Sequence, residues 1–299
     1  MRSINITSLN NTELLYVPTV LDYFELMKPR VMSLVVFTTI VGMYLAPINI
    51  HPVLCIFSIL AIALGAGSAG AINQWIDQDI DSIMARTKTR PIPSGRVDPA
   101  EAITFSFVVA LISIIMLGLA SNWMAASLLL FTIFFYTVIY SVFLKRRTPQ
   151  NIVIGGAAGA FPPIIGWVAM TESINLLPII LFIIIFLWTP PHFWSLALVK
   201  TEDYKKANIP MMPNVVGESS TKKQILFYSF LLLISSLSPF ILGLTGYIYF
   251  FGSFTMSLGF CFLSIGLIIF PNRKLEIPFF VYSIFYLFGI FVFLVIDKY

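Results

Sequence analysis

Nine apolar runs dominate the chain, each close to the roughly 20 residues that a helix needs to cross a bilayer. They fall at residues 31–48, 54–72, 102–120, 124–144, 152–170, 176–199, 225–246, 248–270 and 277–296. In hydrocarbon each backbone donor and acceptor must be paired inside the protein, so runs of this length form helices. The short alternating segments of a transmembrane barrel do not occur. The pattern predicts an all-α, polytopic membrane protein with about nine transmembrane helices. Two polar connections stand out, 73–101 and 200–224. They lie four spans apart, which suggests two four-helix halves plus one further helix. Residues 1–22 read as a mobile polar N-terminal tail, and residues 23–299 as a single membrane-embedded domain.

Composition agrees. Only 11% of the 299 residues are charged and 58% are apolar, where a soluble domain is about a quarter charged. Of the 18 Lys and Arg, all but Lys298 fall before the first span or after the second, fourth, sixth and eighth. The positive-inside rule places those connections and the N-terminus in the cytoplasm. The net charge of +4 is therefore a topology signal and gives no reason to expect nucleic acid. With neither a secretory signal nor a transit peptide in view, the expected location is a prokaryotic plasma (inner) membrane, with the mitochondrial inner membrane as the alternative. Cys55 and Cys261 stand singly within apolar runs and read as packing residues.

Chemistry concentrates after the second span. At about 100° per residue, Asn73, Asp77 and Asp81 lie within roughly 80° of one another on a helix, and Asp79 points elsewhere. Oxygen ligands so arranged suit a hard cation such as Mg²⁺, which completes its shell with water and phosphate oxygens. The alternative is a solvated acidic helix end, although carboxylates this close to a bilayer are costly without a purpose. Arg86 and Arg90 follow, and Lys145 and Arg146 stand after the fourth span. Each group alone is a topology determinant, but beside an acidic stripe the four become candidates for holding phosphate oxygens. Pro162-Pro163 and Pro190-Pro191 are expected to kink or break the fifth and sixth spans. Runs of small residues at 65–70 and 155–159 suit close helix packing. His192 lies at membrane depth, either as a structural residue bonded to a freed carbonyl or as a functional one. On one continuous helix it would share a face with Asp203, about 16 Å away.

These strings together resemble the UbiA-type intramembrane prenyltransferases over roughly residues 23–299. The resemblance rests on Lys28-Pro29-Arg30, Asn73 to Asp81, Met84 to Pro91, Leu144 to Thr148, Asn151 to Gly156, Pro162 to Trp167, Trp188 to Trp194, Asp203-Tyr204 and Ile209 to Pro213. Asn208 stands where the family often has Gly, and Asn also tolerates positive φ. Asn214 interrupts the usual Pro-Val-Val. Relatives acting on quinone precursors carry a second Asp-rich cluster. Here His192-Phe193-Trp194 and a single Asp203-Tyr204 match the branch acting on heme.

The resemblance implies transfer of farnesyl from farnesyl diphosphate to the 2-vinyl group of heme b with addition of water, giving heme O and diphosphate. It implies Mg²⁺ held by Asn73, Asp77 and Asp81, and diphosphate held by Arg86, Arg90, Lys145 and Arg146. His192 and Asp203 would join Asn73, Asp77 and Asp81 as catalytic residues. Whether His192 orients heme, ligates its iron or assists water addition stays open. Heme b is then a substrate, not a bound cofactor, and a heme-modifying or oxidase-assembly protein would be a natural partner. Two rivals remain: prenyl transfer to an aromatic quinone precursor, and transport of an anionic lipid or metabolite.

Overall fold

The computed structural model describes residues 17–48, 50–270 and 274–298. Arg2, Arg273 and most of the expected tail lie outside the described residues. Among those described there is no strand. Helix α1 (Val20–Leu26) begins inside the stretch assigned to the tail. It is followed by α2 (Pro29–Leu45), α3 (Pro52–Ile76), α4 (Gln78–Ile83), α5 (Pro99–Ala120) and α6 (Trp123–Phe134). A π-helix, π1 (Phe135–Leu144), continues α6. Then come α7 (Asn151–Ala160), α8 (Pro162–Thr171), α9 (Leu176–Val199), α10 (Thr201–Lys206), α11 (Met212–Val216), α12 (Glu218–Ile241), α13 (Tyr247–Ile269) and α14 (Glu276–Ile296).

Helix starts follow local chemistry. Proline occupies the first turn of α2, α3, α5 and α8, where its missing N–H costs nothing. Asp98 and Asn122 cap α5 and α6 by accepting from Ala100 and Ala125 backbone N–H groups at 2.7 and 2.8 Å. Among the described residues, eight spans are long and apolar enough to cross a membrane, counting α6–π1 and α7–α8 as one each. The α1–α2 pair, bent by 62°, makes the ninth.

Consecutive spans pack side by side, and α14 returns against α2 and α9 to close the ring. α2 and α8 cross with their backbones in close approach. A Cβ on Gly166 would lie 2.3 Å from the Thr39 carbonyl oxygen, and one on Gly42 equally near that of Pro163. Only backbones without side chains approach this closely, as expected where lipid supplies no hydrophobic drive and helices associate by packing. Gly155 and Gly156 act similarly for α7, admitting the Tyr140 ring and the Thr189 methyl. Large apolar side chains from α9, α12, α13 and α14, including Phe260, Phe279, Tyr286 and Phe291, fill the second half of the ring.

Three departures from the sequence reading matter for the site. The seventh span starts at Glu218 rather than at 225, which puts Lys222 on the helix, paired with Glu276 at 2.9 Å. Pro162 marks a real break, whereas α9 runs unbroken through Pro190 and Pro191. The sixth span ends instead at Lys200 (φ −108°, ψ 22°), so His192 and Asp203 do not share one helix.

That break has a counterpart. α3 ends at Asp77 (φ −93°, ψ 5°), and each break is followed by a six-residue helix, α4 or α10. The two short helices meet at one end of the bundle over Ile80, Met84, Ala207, Ile209 and Met211. Counted from each break, Asp81 and Tyr204 hold the same place. Asn208, just after α10, has φ 53°, a conformation that suits Asn.

Candidate active site

Asn73, Asp77 and Asp81 are buried where α3 breaks into α4, at 4%, 0% and 2% exposure. Despite the break, the Asp77 N–H reaches the Asn73 carbonyl at 3.0 Å and the Asp81 N–H reaches that of Asp77 at 2.8 Å. The three side chains therefore stay stacked. Asn73 Nδ2 donates to Asp77 Oδ2 and to Ser141 Oγ, both at 2.8 Å. Its Oδ1 accepts from Lys28 Nζ at 2.5 Å.

Asp77, Asp79 and Asp81 each face a cation. Lys145 Nζ lies 2.5 Å from Asp77 Oδ2, and Arg90 Nη1 the same distance from Asp81 Oδ2. Arg146 forks onto Asp79 at 2.7 and 2.8 Å and stands 4.0 Å from Asp77 Oδ1. Those hydrogen bonds, resisted by partial burial, hold the Asp79 carboxyl below the usual carboxylate range. Asp79 is 60% exposed, so this pair lies on the rim and turns outward. Asp77 Oδ1 is different: it is buried and has no hydrogen-bond partner. An unpaired carboxylate oxygen in a buried site is expensive, and here it lies among oxygen-only donors of the kind a hard cation prefers. The residues thus fit a divalent ion.

The helix π1 sets the geometry of one wall. In its five-residue register Ser141 follows Tyr136 and Lys145 follows Tyr140, with the Lys145 N–H reaching the Tyr140 carbonyl at 2.8 Å. Ser141 thereby meets Asn73, and Lys145 meets Asp77. The Tyr136 and Tyr140 rings stack at 5.5 Å, 17° apart, beside them. π-Turns within helices recur at functional sites.

Lys28 supplies a second wall. It adopts a left-handed conformation (φ 57°, ψ 62°) directly before Pro29, costly for a non-glycine residue and sustained only where surroundings enforce it. Half-buried, it stands with Arg90 and Lys145 around the same cluster, a set of cations that suits an anion.

The third wall comes from α10. Tyr204, mostly enclosed, feels Arg86 and Arg90; burial raises its pKa, which the two guanidinium groups oppose. The Asp203 carboxylate makes no hydrogen bond or ion pair among the described residues. Arg86 is exposed at the mouth. The structure therefore gathers Asn73, Asp77, Asp81, Arg86, Arg90 and Lys145, and turns Arg146 toward Asp79. Lys28, Tyr136, Tyr140, Ser141 and Tyr204 are additions. Lys28 and Tyr204 sit inside strings already notable in the sequence, but nothing in the sequence announces a π-turn. His192 stands apart, deeper in the bundle and 9% exposed. Its Nδ1 meets Ser283 Oγ at 2.6 Å, not a freed carbonyl.

Comparison with known proteins bears on this arrangement. A model of the UbiA prenyltransferase family matches residues 35–291. A relative from Rhizobium leguminosarum bv. trifolii, named protoheme IX farnesyltransferase, is 54% identical over 283 residues, covering 93% of this chain and 89% of its own. Two solved structures share the fold. One is described for digeranylgeranylglyceryl phosphate synthase (TM-score 0.78, 18% identity, 93% of this chain and 98% of that one). The other is a UbiA homolog from Archaeoglobus fulgidus bound to DMAPP and Mg²⁺ (TM-score 0.70, 17% identity, 91% and 99%).

Proposed function

The chain belongs to the UbiA prenyltransferase family, and from that premise we propose that it transfers a farnesyl group from farnesyl diphosphate to a vinyl group of heme b. The observation that carries the site assignment is the buried Asp77 Oδ1, which accepts no hydrogen bond, inside an alternating array of carboxylates and cations. A neutral acceptor of hydrogen bonds would not need that array. A metal–diphosphate pair does.

Asn73, Asp77 and Asp81 would hold Mg²⁺, which when bound supplies positive charge against the leaving diphosphate. Lys145, Arg90 and Lys28, now on Asp77, Asp81 and Asn73, exchange those partners for phosphate oxygens. Arg86 and the Tyr204 hydroxyl close over the outer phosphate. Arg146, turned aside to Asp79, holds the rim. As the C1–O bond of farnesyl diphosphate breaks, the electron pair leaves with the diphosphate. The stacked faces of Tyr136 and Tyr140 offer cation–π stabilisation to the allylic cation. Apolar walls exclude bulk water, which would otherwise quench it. The vinyl carbon of heme joins C1, water oxygen adds to the neighbouring carbon, and a proton is released.

The N-terminus and this end of the bundle face the cytoplasm of a prokaryotic inner membrane, and a heme-modifying or oxidase-assembly protein receives the product. The test is product analysis. Purified protein with labelled farnesyl diphosphate, Mg²⁺ and heme b should yield a hydroxyethylfarnesyl heme, detected by mass. Label recovered only as farnesol, or on a quinone precursor, would overturn the assignment.

A further inference from the structure

Where α9 meets α14, a small polar knot interrupts the apolar core. The His192 ring lies between Trp188 (centroids 4.3 Å apart, planes 20°) and Phe280 (4.6 Å, 23°). Its Nδ1 is 2.6 Å from Ser283 Oγ. Ser283 Oγ is also 2.6 Å from the Phe280 carbonyl oxygen, and Trp188 Nε1 donates to the Ser283 carbonyl at 2.7 Å.

Proton counting fixes the roles. A serine hydroxyl has one proton, and a carbonyl oxygen has only lone pairs. Ser283 must therefore donate to Phe280, and toward His192 it can only accept. Nδ1 then carries the N–H of the neutral ring, which leaves Nε2 with a free lone pair. Among the described residues, Nδ1–Ser283 is the ring's one hydrogen bond. Stacking on both faces prevents the ring from turning to exchange its nitrogens.

We propose that Ser283 is a positioning residue that fixes His192 in the Nδ1–H tautomer, so that Nε2 takes the iron of the heme substrate as an axial ligand. Metal-binding histidines are commonly oriented in this way, donating the other N–H to a fixed oxygen. The proposal rests on heme being the acceptor in the reaction above. His51 serves as an internal contrast: its Nδ1 accepts from the Val53 N–H at 3.3 Å, which demands the opposite tautomer.

The chain has two histidines, so the test is direct. Full-length protein labelled with ¹⁵N-histidine, in a His51→Asn background, should show His192 protonated at Nδ1. Ser283→Ala should shift the ring toward Nε2–H, and Ser283→Thr, which keeps the hydroxyl, should not. In a parallel titration with ferric heme, Ser283→Ala should weaken the histidine-ligated spectrum by about tenfold, Ser283→Thr should match the parent, and His192→Gln should abolish that spectrum. A parent ring protonated at Nε2 overturns the proposal, and needs no variant to fold. So does a tautomer that Ser283→Ala leaves unchanged. A heme spectrum indifferent to His192→Gln overturns the ligation. None of these readings depends on turnover, so farnesyl transfer stands or falls separately on the product assay.

Discussion

At Asp77 a fully buried carboxylate has one oxygen held by Asn73 and Lys145 and the other without a hydrogen bond. Two residues on, Asp79 is bridged to Arg146 at the rim, where an exposed pair is worth about 1 kcal/mol or less. Substitutions should separate the two. Asp77→Ala or Asp81→Ala should lower turnover by on the order of 10² or more in protein that still inserts, while Asp79→Ala stays within a few-fold. Equal sensitivity of all three, measured as product per inserted protein, would contradict the geometry. A second contrast belongs to the other short helix. Tyr204→Phe removes a hydroxyl that feels the charges of Arg86 and Arg90 and should weaken inorganic diphosphate binding in a calorimetric titration. Asp203→Ala should change it less. The sequence points to the Asp203-Tyr204 dipeptide as a unit. Which residue faces inward depends on where α9 stops, and Lys200 carries no signal for that break.

Among elements, the apolar runs are legible because lipid leaves a long apolar segment no alternative to helix. Their interruptions are less so. Adjacent prolines occur in both the fifth and sixth spans, yet only Pro162 ends a helix. A proline pair does not by itself predict a break, because the contacts that a span makes lie outside its own sequence: α9 packs on α7, α12 and α14. The π-turn is invisible for the same reason: Phe135 to Leu144 reads as ordinary apolar helix, and what holds the wider register is Ser141 on Asn73, Lys145 on Asp77 and Tyr140 against Gly155. The last contact makes a test. A Cβ on Gly155 would stand 2.2 Å from Tyr140 Cδ2, while one on Gly159 meets nothing within 4 Å. Gly155→Ala should cost about 1–3 kcal/mol by overpacking, seen as a lower melting temperature, and should reduce turnover by displacing Lys145. Gly159→Ala should behave as the parent.

On the scale of the whole molecule, topology is the broadest expectation. Reporter fusions at Ser94, in the connection beside the acidic cluster, and at Thr171, at the far end of α8, should report opposite sides of the membrane. The same side for both would overturn the orientation. Charge distribution makes this readable without a structure, because 17 of the 18 basic residues obey one alternation. The order of helices around the ring is not readable, since an apolar run does not state its neighbours. The closure of α14 on α2 and α9 bears on biogenesis. Residues 73–145, with their carboxylates and lysine, leave the ribosome midway through synthesis, whereas Ser283 and Phe280 emerge among the last. A nascent chain can thus assemble the acidic cluster long before it can present a finished wall to heme. A chain stopped at residue 270 should still enter the membrane and bind diphosphate with Mg²⁺, yet leave ferric heme unligated, so release of the completed polypeptide becomes the checkpoint at which this molecule first becomes competent toward its larger substrate.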